Sequence, residues 1–468
     1  MPLRLYNTMS RQIEDFVPVR EGEAGLYCCG PTVYNFAHIG NLRTYIFEDL
    51  LHRTLVHDGY KLTHVMNITD VGHLTGDGDE GEDKMVKSAR EKGMSVWDIA
   101  AFYTDAFFAD EKDLNIIRPD IVCKATDHIQ QMIDIIRKLE EGGHTYVAGG
   151  NVYFSIDTID DYGKLAKLNL DDLREGARIA VDSNKRNPKD FVLWFTNSKF
   201  KDQVMVWPSP WGVGYPGWHI ECSAMSSEYL GPHFDIHCGG IDAIPVHHTN
   251  EIAQSEAAFG IKPWVNYWCH GEFLLNDKGK MSKSSGEFLT LSVLKEKGYD
   301  PLDYRYFCLT GHYRSQLKFS FESLDQARSA RQTLMRKLAE YRAEGPADFN
   351  FSEKAASYLK AFFDAMDNDL KVPQALSQLW TALRDSQVSN AEKLGLALKM
   401  DEILGLSLDR EESASAETAD SQALSLLEQR TAAKKEKNWA LADELRSQIQ
   451  ALGYKVIDTA QGSSLEKL

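Results

Sequence analysis

Cysteine is scarce in this chain: seven in 468 residues, irregularly spaced and without a Cys-x-x-Cys pair. That argues against a disulfide framework and for reduced thiols or metal ligands. No apolar stretch is long enough to span a bilayer, so no membrane partner is expected. The stretch from Met1 to Gly22 carries charges throughout and lacks an apolar signal-peptide centre, so a cytoplasmic protein is expected. A basic excess is also missing: 52 Lys and Arg stand against 69 Asp and Glu, a net charge of −17. Non-specific nucleic-acid binding, which needs a basic surface, is disfavoured, whereas a local basic strip still suffices for one specific RNA partner. No internal repeat is visible. What is present is core material: the chain is 43% hydrophobic, enough for roughly three or four domains at this length.

The order of elements is legible in the apolar pattern. Leu26-Tyr27-Cys28-Cys29 reads as a short strand ending in the turn Gly30-Pro31. Ile39, Leu42, Ile46, Leu50 and Leu51 then recur at helical spacing up to His57, and Tyr60 to Ile68 reads as the next strand. This β–α–β unit predicts a parallel, Rossmann-type sheet. The Gly- and acid-rich Gly76 to Gly81 is read as a surface loop, since its spacing does not fit a calcium site. Residues from Pro119 to Pro210 read as an insertion with irregular strand signals, after which the Rossmann pattern resumes at Phe234 to Gly240. From Leu324 the composition turns helical. Glu411 to Ser421 has almost no apolar anchor and reads as a linker. The last segment is expected to hold an amphipathic helix pair around Trp439.

Two short motifs bracket the sheet, His38-Ile39-Gly40-Asn41 and Lys280-Met281-Ser282-Lys283-Ser284. His38, at a helix start, faces backbone N–H groups and a dipole end that favour phosphate. Gly40 lets a flat base pack against the backbone. Lys283, in a Ser/Gly-rich loop, supplies a mobile cation for a leaving pyrophosphate. Either motif alone carries little weight; their joint occurrence in this order does. Asp242, after Gly239-Gly240, is placed to bind ribose hydroxyls, and a simple Gly-rich turn is an equally good reading of that fragment.

Cys29, Cys222, His247 and Glu251 form a candidate metal set. His247 and Glu251 are four apart in a helical stretch, which puts them on one face. Cys29 and Cys222 are each expected at the end of a strand or turn, converging at the carboxyl edge of the sheet. Two thiolates, an imidazole and a carboxylate suit Zn²⁺. On spacing alone, His247 as an ordinary surface helix residue stays open. Strand alternation sends Cys28 and Cys29 to opposite sides, with Cys29 the better ligand. Cys123, Cys238, Cys269 and Cys308 read as small buried hydrophobes.

With these pieces in place, the chain resembles the cysteinyl-tRNA synthetases, a class I aminoacyl-tRNA synthetase family, over essentially its whole length. Cys29 to Tyr34, His38 to Asn41, Asn67 to Asp70, Pro216 to Met225, His247 to Gln254 and Lys280 to Ser284 carry the match, Gly217 to Met225 most specifically. The resemblance implies an α/β fold. A Rossmann catalytic domain falls in two halves (1–118 and 211–275) around an inserted connective domain (119–210). Then come a KMSKS-loop and stem-contact region (276–323), a helical anticodon-binding bundle (324–410), a linker (411–422) and a small C-terminal module (423–468). It implies one Zn²⁺ per chain, held by Cys29, Cys222, His247 and Glu251, which binds the substrate's thiolate. It places Thr69, Trp218 and His237 in the amino-acid pocket. Catalysis falls to His38, Asn41, Lys280 and Lys283, and ATP with Mg²⁺ to His38, Gly40, Asn41, Asp242 and Lys283. L-cysteine, ATP and tRNA(Cys) are the implied partners, and a monomer is expected. Asn41 departs from the family, where a second His stands; it can donate a hydrogen bond to a phosphate but carries no charge. Val71 to Asp83 looks longer than the usual connection and has no assigned role. A ligase joining activated cysteine to an amino-sugar, and a silent zinc-stabilised RNA-binding paralogue, are the competing readings.

Overall fold

A computed structural model of the chain describes residues 2–72, 84–167, 183–197, 203–276, 279–280, 289–410, 423, 426–427, 429–434, 438–459 and 462–467. The chain divides into two compact units, Met1–Leu408 and Asp409–Leu468. Most of Val71 to Asp83, and Met281, Ser282, Lys283 and Ser284, lie outside the described residues.

The first unit opens with an antiparallel hairpin of β1 (Arg4–Asn7) and β2 (Gln12–Asp15). Strand β3 (Glu23–Cys28) leads through a loop into α1 (Ile39–His57), and the chain returns along β4 (Lys61–Ile68). Helices α2 (Lys84–Lys92) and α3 (Val96–Asp113) lead to β5 (Ile121–Lys124), which is followed by α4 (Ile129–Glu141). Four short strands come next, β6 (Thr145–Ala148), β7 (Asn151–Phe154), β8 (Phe191–Phe195) and β9 (Tyr215–Pro216). The chain then forms α5 (Trp218–Leu230), β10 (Phe234–Gly240), α6 (Thr249–Phe259) and β11 (Val265–Gly271).

The central sheet has five strands in the order β11-β10-β3-β4-β5, all parallel. Strand order runs one way from β3 to β5 and the other way from β10 to β11. The reversal therefore falls between β3 and β10, the crevice where open α/β sheets bind their ligands. The two faces of the sheet have different cores. Leu26, Cys28, Met66, Ile236, Cys238 and Cys269 pack toward α1. Tyr27, Val65, Cys123 and Trp268 share a core with Cys222, Ile220 and Met225 of α5 and Ile252 of α6. Alternation along each strand produces this split, and it places Cys28 in the α1 core.

Two sequence expectations need correcting. Ile121–Lys124, inside the stretch read as an insertion, pairs with β4 as a strand of the central sheet. Four residues with one exposed end offer no period to recognise it by. Cys222 stands within α5, in its second turn, rather than at the end of a strand or turn. Residues His219 to Ser226 are all buried, so the helix has no polar stripe to mark it. The remaining strands of the inserted stretch, β6, β7 and β8, form one antiparallel sheet with β9, which lies beyond its expected end at Pro210.

After the sheet, β12 (Leu274–Asn276), β13 (Gly279–Lys280) and β14 (Leu317–Lys318) form a three-stranded sheet flanked by α7 (Leu291–Glu296) and α8 (Pro301–Leu309). Helices α9 (Phe321–Glu344), α10 (Glu353–Met366), α11 (Val372–Arg384) and α12 (Asn390–Leu404) complete the unit. Three of the four starts are marked by a serine: Ser320, Ser352 and Ser389 each accept a backbone N–H as N-cap. In the second unit, α13 (Trp439–Ala451) precedes an antiparallel pair, β15 (Tyr454–Thr459) and β16 (Gly462–Lys467). Ala423, Leu427, Ile449, Tyr454 and Val456 form its small core. The sequence reading expects an amphipathic helix pair around Trp439 in this segment and says nothing of the hairpin that follows it. No helix among the described residues is long and apolar enough to cross a membrane.

Candidate functional site

The crevice between β3 and β10 is built from chain turns that leave β3 and β4. Past the end of β3, the Cys29 backbone N–H donates to Cys238 O at 3.2 Å. Gly30 comes next, and a Cβ there would lie 1.6 Å from Asn67 O, so only glycine lets the chain pass. Gly30 N–H donates to Asn67 Oδ1 at 2.9 Å, and Asn67 Nδ2 donates to Thr69 Oγ1 at 3.0 Å. The chain then enters α1 with His38 as its N-cap. His38 Nδ1 accepts from the Asn41 backbone N–H at 3.0 Å, and Asn41 Oδ1 accepts from the His38 N–H at 3.2 Å. Asn41 thus closes a reciprocal cap on the helix that follows. Gly40 sits under this cap; a Cβ there would lie 3.0 Å from His38 Nδ1.

Beside this helix start, Cys29, Cys222, His247 and Glu251 bring one ligand atom each to within 4.8 Å of one another. A second grouping, Cys29, His237, His248 and Glu251, meets the same criterion. Four elements supply the first set: the end of β3, α5, a single π turn over Ile244–His248, and α6. Wide turns of this kind are often found at functional positions. Cys222, His247 and Glu251 are buried and Cys29 half-buried. Glu251 is fully buried, its Oε1 paired with His247 Nε2 at 2.7 Å and its Oε2 with His237 Nε2 at 2.8 Å. A carboxylate, two thiols and an imidazole gathered this closely in a buried site are a donor set that fits a cation such as Zn²⁺.

The charges are arranged accordingly. The hydrogen bond from Cys29, with further help from His247, lowers the Cys222 thiol to about 6 despite its burial. The same bond raises Cys29 well above the ordinary thiol range, with burial adding to it. Burial alone would raise Glu251, but His247 and His237 bring it down to about 2. Burial alone would lower His247, but Glu251 and Cys222 raise it to about 10.

The remaining expected residues are distributed as follows. Thr69 and His237 are buried, and Trp218 is half-buried, its ring 4.3 Å from that of His247 at 32°. His237 Nε2 is 2.8 Å from Glu251 Oε2, and its ring stacks on Trp268 at 4.5 Å and 20°. Asp242 is exposed on the short helical turn Ile241–Ala243 after β10. The Lys280 backbone lies in β13; Lys283 lies outside the described residues.

Sequence reading misses four neighbours of this site. His219 Nδ1 is 3.0 Å from His247 Nδ1. His248 Nε2 is 3.4 Å from Cys29 Sγ, His248 Nδ1 is 2.8 Å from His270 Nε2, and His270 Nδ1 is 2.8 Å from Thr8 Oγ1. The doubled His247-His248 is the one available signal; Thr8 and His270, 262 residues apart, carry none.

Comparison with known proteins fits this geometry. Residues 15–329 match the family described as tRNA synthetases class I (C) catalytic domain, and residues 418–462 match the Cysteinyl-tRNA ligase anticodon binding domain. The chain is 53% identical to the cysteine--tRNA ligase of Treponema denticola, with all of both chains covered. It is 49% identical to cysteine--tRNA ligase 1 of Burkholderia lata, covering 99% of this chain and 97% of that one. Among solved structures, Mycobacterium tuberculosis methionyl-tRNA synthetase bound by methionyl-adenylate shares the fold, with a TM-score of 0.54 at 16% identity over 86% of this chain and 94% of that one. The sheet reversal beside the His38 helix start, the buried Cys/His/Glu cluster and full-length identity of this order agree: the chain belongs to the cysteine--tRNA ligase family of class I aminoacyl-tRNA synthetases.

Proposed function

We propose that this protein activates L-cysteine with ATP and transfers the cysteinyl group to tRNA(Cys), selecting cysteine by a zinc–thiolate bond. The observation that carries the selection step is the buried cluster of Cys29, Cys222, His247 and Glu251 at the sheet reversal. Of the two overlapping groupings, this one is preferred because it offers two thiol sulfurs, the softer donors that suit Zn²⁺, where the other offers one. Zn²⁺ held there would supply a soft Lewis acid that prefers sulfur to oxygen and lowers the pKa of a thiol. Shape alone separates serine from cysteine poorly, because they differ by one atom.

Thr69, Trp218 and His237 are assigned to the walls of the amino-acid pocket. With the amino acid so placed, its carboxylate attacks the α-phosphorus of ATP; a new P–O bond forms as the bond to pyrophosphate breaks. The cap on α1 uses His38 Nδ1 and Asn41 Oδ1, so His38 Nε2 and Asn41 Nδ2 are the atoms assigned to phosphate oxygens. Lys283 and Lys280 are assigned to the leaving pyrophosphate, whose charge Mg²⁺ would help to offset, and Asp242 to the ribose. A hydroxyl of the terminal tRNA ribose then attacks the adenylate carbonyl, forming the ester and releasing AMP. The anticodon is assigned to the C-terminal module, on the match of residues 418–462 to an anticodon binding domain, rather than to the bundle 324–410 expected from the sequence; a monomeric, cytoplasmic enzyme is the expected form. ATP–pyrophosphate exchange measured with each amino acid in turn tests the reading: cysteine alone should support it, and exchange driven by another amino acid would refute it.

A further inference from the structure

Three buried side chains run in a line from the metal cluster to the N-terminal hairpin. Cys29 Sγ faces His248 Nε2, His248 Nδ1 faces His270 Nε2, and His270 Nδ1 faces Thr8 Oγ1. We propose that Thr8 and His270 are positioning residues that fix the tautomer of His248, so that its Nε2–H points at the sulfur of Cys29. The inference rests on the metal-site reading above.

The direction of the chain follows from counting protons. A neutral imidazole donates once and accepts once. A ligating Cys29 sulfur has no proton and only accepts, so His248 Nε2 donates to it. His248 Nδ1 is then an acceptor, which makes His270 Nε2 the donor and His270 Nδ1 an acceptor. Thr8 supplies the closing O–H. Both rings are buried, which favours the neutral imidazole. Their planes are fixed as well. His270 lies parallel to Trp268 at 9°, and a Cβ on Gly239 would come within 2.7 Å of His248 Cε1, so glycine leaves just enough room for that ring. Thr8, buried and tied through its backbone N–H to Trp268 O, is the one member whose hydroxyl decides the order. A donor to a ligating sulfur both orients it and tempers its charge, and loss of such outer partners typically weakens metal binding by roughly ten- to a hundredfold.

The test is Zn²⁺ affinity of the full chain, read by competition with a chromogenic chelator. Thr8→Val should weaken binding roughly ten- to a hundredfold, and Thr8→Ser should restore it. In a His270→Gln background, the amide N–H can donate to His248 without help from Thr8, so adding Thr8→Val should cost little. Far-ultraviolet circular dichroism checks that each variant is folded. Wild-type affinity in Thr8→Val, or an undiminished loss in the His270→Gln background, would overturn the proposal. A wild-type chain that takes up no Zn²⁺ would overturn the metal reading beneath it.

Discussion

Arg305 and Asp49 meet inside the protein: the guanidinium Nη2 lies 2.5 Å from Asp49 Oδ2, and both side chains are fully buried. Asp49 belongs to α1, the helix that begins at His38; Arg305 belongs to α8 and also donates to Leu404 O at the end of α12 and to Leu114 O after α3. One ion pair thus pins the nucleotide-side helix to the bundle behind it. Burial would raise Asp49, but Arg305 and Arg53 bring it below its ordinary range. Its contribution is therefore present above the unfolded carboxylate value and is lost as pH falls through the folded one. Asp49→Ala leaves a buried guanidinium unpaired, so denaturant unfolding should show a loss of about 3–5 kcal/mol.

Glu111 has the opposite sign. It is buried in α3 with both carboxyl oxygens unpartnered, and desolvation, with Asp49 adding and Arg118 opposing, raises it to about 8. Glu48 beside it is raised well above its ordinary value by burial and by Glu111 itself. The unfolded chain gives up this proton near about 4.3 while the folded one keeps it, so stability falls as pH climbs from there toward about 8. Glu111→Gln should flatten that slope by up to about 1.4 kcal/mol per pH unit. An unchanged slope in unfolding experiments across that window would contradict the assignment.

Much of this site is legible in the sequence, because its residues sit in contiguous motifs whose spacing has a physical meaning. His38 follows a strand and a Gly-Pro turn, and His247 and Glu251 share a helical face. The misses have physical causes too. Cys222 lies in the stretch of α5, His219 to Ser226, that is buried on every side, which erases the amphipathic signal. Asn41 serves the helix cap through its oxygen, a use that its capacity to donate to phosphate does not suggest. Thr8 and His270 meet only because β1 packs beside β11, a contact between distant segments that no local pattern encodes.

Lys283 is assigned to charge that develops only in the transition state. Lys283→Ala should slow adenylate formation by roughly a hundredfold or more and change cysteine affinity little. Weakened cysteine binding with unchanged turnover, seen by pre-steady-state kinetics, would remove that role.

The C-terminal unit, Asp409–Leu468, contributes none of the residues assigned to activation. A chain ending near Ser413 should keep cysteine-dependent ATP–pyrophosphate exchange and lose efficiency in charging tRNA(Cys). Full charging by the shortened protein would mean that the anticodon is read elsewhere.

Selection of cysteine through a bound metal is the central claim, and one paired measurement tests it: Zn²⁺ per chain and cysteine-dependent ATP–pyrophosphate exchange, in the wild type and in Cys222→Ser. About one Zn²⁺ per wild-type chain is expected, with metal content and apparent cysteine affinity falling together in the variant. A metal-free protein that activates cysteine at the normal rate and still rejects serine would contradict it.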